Sequence, residues 1–251
     1  MLRMLIAVPV FNEEKYVTRV LSEIRKYGHD VLVIDDGSTD ATPSLLRKVR
    51  GIRILTHPEN RGYGQSLIDA FTYAADRGYD WVLTMDCDEQ HEPARIPAFY
   101  AAAQRDDADI ISGSRYMPGD NGDADQPPPD RRNINMVITE LLNSTLNLSL
   151  TDSFCGFKAH RVAAMQKLRL TIPGYAFPMQ FWVQAVAQRL NIREIPVKLI
   201  YKDATRHFGG MLDDPTVRLQ HYLQVFATEL RAVQTETPVL ADTSCALCCD
   251  P

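Results

Sequence analysis

Two aspartates one residue apart, Asp86 and Asp88 in MDCDEQH, stand where an apolar run, YDWVLT, comes to its end. Side chains alternate along a strand, so extended backbone here would send both carboxylates to one side and Cys87 to the other. Two like charges so placed repel unless something positive lies between them. A divalent cation with oxygen ligands, Mg2+ or Mn2+, meets that need and would carry a phosphate-bearing substrate. The plainer alternative is a strand that finishes in acidic loop residues. Gln90 adds a third oxygen donor, and a site of Asp86, Asp88 and Gln90 leaves positions open for phosphate oxygens. His91, next to hard oxygens, reads as a structural hydrogen-bonder.

A diphosphate also needs cations. Arg115 in GSRY, Arg131 and Arg132 after a proline-rich stretch, and Arg206 in TRHFGG are the candidates. Guanidinium forks suit phosphate oxygens; the alternative for each is a solvated surface charge. Arg131 and Arg132 border a stretch that reads as a lid closing over a ligand. Glu13 and Asp36 are poor neighbours for phosphate but good acceptors for a base or a ribose. Carboxylates at one end, a metal in the middle and arginines beyond describe a nucleoside diphosphate with something attached.

The elements that must position these residues alternate strictly. RMLIAVPVF, DVLVID, IRILTH, YDWVLTMD and ADIISGSRY read as buried strands. Between them NEEKYVTRVLSEIRKYG, ATPSLLRKV, GYGQSLIDAFTYAADRG and PARIPAFYAAAQRD read as helices. Alternation over residues 1–116 predicts an α/β domain, a mostly parallel central sheet with helices on both faces. Ligands of such sheets lie beyond the carboxyl ends of the strands, where FNEE, DDGSTD, DCDEQH and GSRY all fall. RGYG is an incomplete dinucleotide fingerprint, and no G-K-[ST] marks a P-loop.

The pattern then changes. MPGDNGDADQPPPDRR reads as a mobile loop over 117–132. A helix is expected in NINMVITELLNSTLNL, a strand in IREIPVKLIY and a last amphipathic helix in PTVRLQHYLQVFATELRAV. The expected organisation is one domain, 1–234, with a nucleotide-binding half (1–116), an acceptor half (117–234) and a flexible tail (235–251).

Bulk properties exclude several classes. A formal net charge of −5 gives no pull toward nucleic acid or an anionic membrane. No apolar run approaches the roughly 18 to 20 residues that span a bilayer, and the opening run is too short for a signal peptide. The expectation is a cytoplasmic protein, peripheral if it meets a membrane. Cys245, Cys248 and Cys249 crowd the tail without the four ligands that a closed zinc site needs.

Together the motifs resemble glycosyltransferase family 2. VPVFNEE resembles that family's opening, VIDDGSTDAT its second strand and turn, NRGYGQSL its N-x-G-x-G-x-A segment, and MDCDEQHEP its D-x-D strand end. GSRY followed by DSFCGFKAHR is similar to the dolichol-phosphate (polyprenyl-phosphate) mannose synthase branch. The resemblance spans about residues 4–210. It implies a GT-A type fold, a nucleotide-diphosphate sugar donor (GDP-mannose or a UDP-sugar), a divalent cation, inversion at the anomeric carbon and a lipid-phosphate acceptor at a membrane surface. With no membrane span, that acceptor calls for a partner membrane subunit or an apolar groove near GYAFPMQFW. By resemblance, Pro9, Phe11, Glu13, Ile34 and Asp36 would line the nucleoside, and Asp86, Cys87 and Asp88 would meet ribose and diphosphate. Asp88 and Gln90 would hold the metal with Asp86 close by. Arg115, Arg131 and Asn135 would meet the lipid phosphate, and Arg206 the donor phosphates. Two positions depart from the branch: Leu212 stands where it has a lysine, and Gln180 where relatives commonly have a carboxylate. A phosphate acceptor is already anionic near neutral pH and needs no general base. For a hydroxyl acceptor Asp152 is the candidate base, its alternative being a loop or cap residue. A transferase acting on a saccharide or small-molecule hydroxyl, and a non-catalytic sugar-nucleotide-binding subunit, stay open as alternatives.

Overall fold

The computed structural model describes residues 2–117, 129–200 and 210–236. Arg206, residues 118–128 of the expected loop and the three tail cysteines lie outside the described residues. Seven strands form one sheet: β1 (Met4–Val10), β2 (Asp30–Asp35), β3 (Arg53–Thr56), β4 (Trp81–Thr84), β5 (Ile110–Ser114), β6 (Lys158–Arg161) and β7 (Ile192–Pro196). Their order is β3-β2-β1-β4-β6-β5-β7. β6 runs antiparallel to both neighbours, and the other pairings are parallel.

The helices α1 (Val17–Arg25), α2 (Thr42–Leu46), α3 (Tyr63–Asp76) and α4 (Ile96–Gln104) are the crossovers of the parallel half. α5 (Pro129–Leu146), α6 (Val162–Met165), α7 (Phe177–Ala187) and α8 (Pro215–Glu236) belong to the second half. α5 starts four residues before NINM, and α1 starts only at Val17. FNEE stays a loop there because Asn12 adopts a left-handed φ of 55° and the amides of Tyr16 and Val17 both close onto Glu13 O.

Strand alternation splits the core in two. Leu5, Ala7, Leu32 and Ile34 pack on one face with α3, α5, α7 and α8; Ile6, Val8, Val31 and Val33 pack on the other with α1 and α4. Depth in that core corrects one site expectation. Ile34 shares a strand face with Asp36 but is 0% exposed inside the first cluster, and it does not line the cleft beyond the strand ends. Among the described residues no helix is long and apolar enough to cross a membrane.

Candidate functional site

A cleft of about 530 Å³ opens beyond the carboxyl ends of β1, β2, β4 and β5. It gathers Pro9, Phe11, Glu13 and Asp36 at one end, Asp86, Cys87, Asp88 and Gln90 in the middle, and Arg115, Arg131 and Asn135 at the other. Eleven of the side chains named from sequence therefore share one wall-to-wall space, although they come from five separate segments. Arg206 lies outside the described residues.

The acidic end is held by backbone amides. Asp36 accepts from Arg61 N and Gly62 N, each at 2.8 Å, and from His57 Nδ1 at 2.6 Å. His57 Nε2 reaches Asp69 at 2.8 Å, so the imidazole bridges two carboxylates. Asn12 Oδ1 accepts from Thr39 N at 2.8 Å and Glu13 N donates to Thr42 Oγ1 at 2.8 Å, which locks the FNEE loop to the DDGSTD turn. The glycines of RGYG permit close packing. Gly62 has a φ of 100°, and a Cβ on it or on Gly64 would overlap the backbone of Ile172 and Pro173. That close approach brings α3 against the segment carrying Tyr175.

The middle is acidic and oriented. β4 ends at Thr84, so Asp86 and Asp88 leave the strand before projecting, yet both face the cleft. Asp86 Oδ1 accepts from Tyr63 Oη at 3.0 Å, and its Oδ2 lies 3.8 Å from His91 Nε2. Asp88 Oδ1 accepts from Gln90 N at 3.0 Å, in a turn where Glu89 takes a φ of 61°. His91 Nδ1 accepts the Asp86 amide at 3.2 Å, and burial lowers its pKa to about 4. It is therefore a neutral structural hydrogen-bonder near pH 7. Cys87 is 2% exposed, and burial, then Asp86, push its thiol up to about 12, which removes it as a thiolate ligand. Among the described residues no three His, Cys, Asp or Glu side chains gather into a metal cage. The donors on offer are two carboxylates and an amide. That set fits a hard cation such as Mg2+ or Mn2+, which takes its remaining ligands from substrate phosphate and water.

The basic end departs from expectation at Asp152. Asp152 is 1% exposed and does not line the cleft. Its Oδ2 accepts from Arg115 Nε at 2.6 Å and Arg115 N at 3.2 Å, and its Oδ1 from Arg115 Nη2 at 2.9 Å. Burial works to raise its pKa, but the guanidinium outweighs it and holds the carboxyl below its ordinary value. A carboxylate so occupied is a brace for Arg115 and is poorly placed to be a general base. Beneath it Lys158, 7% exposed, donates to the Cys155 carbonyl and lies over the Trp182 ring, and burial lowers its pKa. Arg132, by contrast, is exposed on α5.

The cleft also takes in residues not singled out from sequence, among them Tyr63, Phe154, Arg218 and Tyr222, and Tyr175 from the GYAFPMQFW segment expected to build an apolar groove. Tyr63 stacks on Tyr175 with centroids 6.1 Å apart, and Phe154 meets Tyr222 at 5.3 Å. The sequence signal for Arg218 and Tyr222 was present. Arg218 and Tyr222, four residues apart, share one face of α8. Leu212 offers no cation, but its carbonyl accepts from Arg218 Nη1 at 2.9 Å, so a guanidinium stands beside it. Gln180 lies away from the cleft, and its side chain bridges Thr171, Ile172 and Glu229.

With this geometry in place the chain can be set beside known proteins. It is 26% identical over 232 residues to an undecaprenyl-phosphate mannosyltransferase of Micrococcus luteus, covering 88% of this chain and 94% of the relative. It is 25% identical over 205 residues to a polyprenol monophosphomannose synthase of Mycolicibacterium smegmatis, covering 78% and 76%. Its fold is similar to glucosyl-3-phosphoglycerate synthase from Mycobacterium tuberculosis solved with Mg2+ and uridine diphosphate, with a TM-score of 0.70 at 16% identity over 91% of this chain and 79% of that one. The same synthase with Mn2+, uridine diphosphate and phosphoglyceric acid gives a TM-score of 0.68 at 16% identity, over 91% and 78%. The family model described as "Glycosyl transferase family 2" matches residues 5–169, and the chain is a glycosyltransferase belonging to that family.

Proposed function

We propose that this glycosyltransferase moves a hexose from a nucleoside-diphosphate sugar to polyprenyl phosphate, with inversion at the anomeric carbon and with a divalent cation. The observation that carries the reading is a single cleft joining an acidic end, the Asp86–Asp88 pair and an arginine-rich end walled by aromatic rings. The polyprenyl-phosphate substrates in the names of the two sequence relatives support the acceptor class. Residues 1–116 would hold the donor and 117–234 the acceptor.

Glu13 and Asp36 would accept hydrogen bonds from the nucleoside, with Phe11, 44% exposed, beside them. Asp86, Asp88 and Gln90 would hold Mg2+ or Mn2+, which neutralises the departing diphosphate when bound. Arg115, fixed by Asp152, and Arg131, with Asn135, would orient the acceptor phosphate. An oxygen of that phosphate forms the new bond to the anomeric carbon while the bond to the diphosphate breaks. The electron pair leaves on the nucleoside diphosphate. The acceptor is already ionised, which agrees with a site whose buried carboxylate, Asp152, is occupied by Arg115.

The test is release of nucleoside diphosphate from GDP-mannose, UDP-glucose and UDP-N-acetylglucosamine. Each is run with and without Mn2+ and a short polyprenyl phosphate, beside Asp88→Ala. Turnover of one donor that needs both metal and lipid, and is lost in the variant, is the expected result. Turnover independent of polyprenyl phosphate would overturn it.

A further inference from the structure

We infer that Arg218 is a positioning residue for the acceptor end of the cleft: by holding Asp130 it sets Arg131 and Asn135. The inference deepens the proposed function and rests on it for the identity of the ligand.

Arg218 lies in the first turn of α8 and is 2% exposed, a burial that arginine tolerates only with partners. Two of those partners come from different places. Nη2 donates to Asp130 Oδ2 at 3.1 Å, across 88 residues of sequence. Nη1 donates to the Leu212 carbonyl at 2.9 Å, in the short 3-10 turn Gly210–Asp213. The fork thus ties the start of α5 and the turn before α8 to one buried point.

Asp130 is the second residue of α5, and Arg131 follows it directly. Asn135 lies just over one turn further on, and both Arg131 and Asn135 line the cleft. A helix's first turn frays unless something outside the helix holds it. Fixing Asp130 therefore fixes the backbone from which the two cleft side chains project. Asp130 is 44% exposed against 3% for the arginine side chain, so the bond is anchored from the buried side. Tyr222, one turn beyond Arg218, feels the charge of both Arg218 and Arg131. The two guanidiniums therefore meet the same end of the site. Lysine in place of Arg218 would keep the charge but lose the planar fork that serves two acceptors at once.

The experiment compares the full chain with Arg218→Lys and Asp130→Asn, with Mn2+ present. Donor is varied at fixed short polyprenyl phosphate, and the reverse. Hydrogen exchange is followed across residues 129–136 in the same samples. Loss of one charge-assisted bond predicts an acceptor KM raised about tenfold or more in both variants. The donor KM stays within about twofold, because the donor end of the cleft is untouched. Amides at the start of α5 exchange faster while the sheet stays protected. An unchanged acceptor KM, or equal losses for donor and acceptor, overturns the inference. If the wild-type chain shows no response to polyprenyl phosphate, the proposed function fails separately. Exchange then decides the brace alone: unchanged exchange at 129–136 in Arg218→Lys refutes it, and faster exchange confined there upholds it.

Discussion

Arg115 and Asp152 lock together through two parallel hydrogen bonds, Nε to Oδ2 at 2.6 Å and Nη2 to Oδ1 at 2.9 Å, with the carboxylate wholly withdrawn from solvent. Such a pair gives little net stability over an apolar pair of the same shape, because both ions lose their water. Breaking it is different, since the remaining ion is left buried and unpaired. Asp152→Ala and Arg115→Ala are each expected to cost about 3–5 kcal/mol. The double variant should cost clearly less than the sum of the two. Urea unfolding of the four proteins measures this, and simple additivity would show that the two residues do not act as a unit.

A second relationship ties fold to chemistry at Asp86. Gly156 faces that carboxylate so closely that a Cβ would sit 2.8 Å from Oδ1 and from Tyr63 Oη, and nearer still to Oδ2. Gly156 has no left-handed φ, so its requirement is for space and not for backbone freedom. Gly156→Ala should therefore push Asp86 off its position while leaving the strands intact. On the proposed function, the Mn2+ needed for half-maximal turnover rises by about 10- to 100-fold, as for displaced metal-site supports elsewhere. Tyr63→Phe, which removes one hydrogen bond and no space, should shift it less. A titration of activity against Mn2+, with melting curves as the control for folding, separates the two outcomes. An unchanged Mn2+ requirement in Gly156→Ala would count against Asp86 as a metal-site residue.

Gln180 is a departure with a structural explanation. Its Oε1 accepts from Thr171 N at 2.6 Å and Ile172 N at 3.1 Å, and its Nε2 donates to Thr171 Oγ1 at 3.1 Å and Glu229 Oε2 at 2.8 Å. An amide can donate and accept at once, and a carboxylate cannot. Gln180→Glu would lose both donations and face Glu229 with a like charge. The expected cost is about 2–3 kcal/mol, read as a lower melting temperature near neutral pH. Because Gln180 lies outside the cleft, turnover by the folded fraction should be nearly unchanged; a large loss of kcat without loss of stability would contradict this.

Much of this was legible in the sequence, for reasons that also explain the rest. The parallel strands carry unbroken apolar runs, and the polar residues that follow each run had to fall at one edge of the sheet. β6 escaped because Lys158-Ala159-His160-Arg161 contains one apolar residue in four, yet its first three side chains are buried. Their burial is made tolerable by a carbonyl acceptor for Lys158 and aromatic neighbours for His160, which only tertiary structure supplies. Ile34 was assigned to the cleft by resemblance; it shares a strand face with Asp36 but lies one step deeper, where the core covers it completely. Asp152 looked like a candidate base because its partner, Arg115, lies 37 residues away in sequence. Arg218 was hidden in an amphipathic helix whose charged residues all look alike until one is found buried.

The last prediction concerns pH and the buried ring of His160. That ring lies between Phe71 and Phe181, with centroids 4.9 and 5.4 Å away, and its Nδ1 is buried without a hydrogen-bond partner. Burial, then Lys158, hold its pKa well below the ordinary value. The unfolded chain takes up a proton near pH 6.5 while the folded chain does not. The contribution of this group to stability is therefore full above about pH 6.5 and declines as the pH falls below that value, because acid favours the unfolded state. Each pH unit across that window is worth about 1.4 kcal/mol per histidine, or about 2 kcal/mol between pH 6.5 and 5. His91, with its pKa at about 4, adds a slope of the same sign. In His160→Leu the decline in stability from pH 7.5 to 5 should shrink by roughly half of what the two histidines contribute, the His91 share remaining. Chemical unfolding of wild type and variant at the two pH values gives the comparison. Parallel pH dependences would mean that His160 is protonated as readily in the folded chain as in the unfolded one.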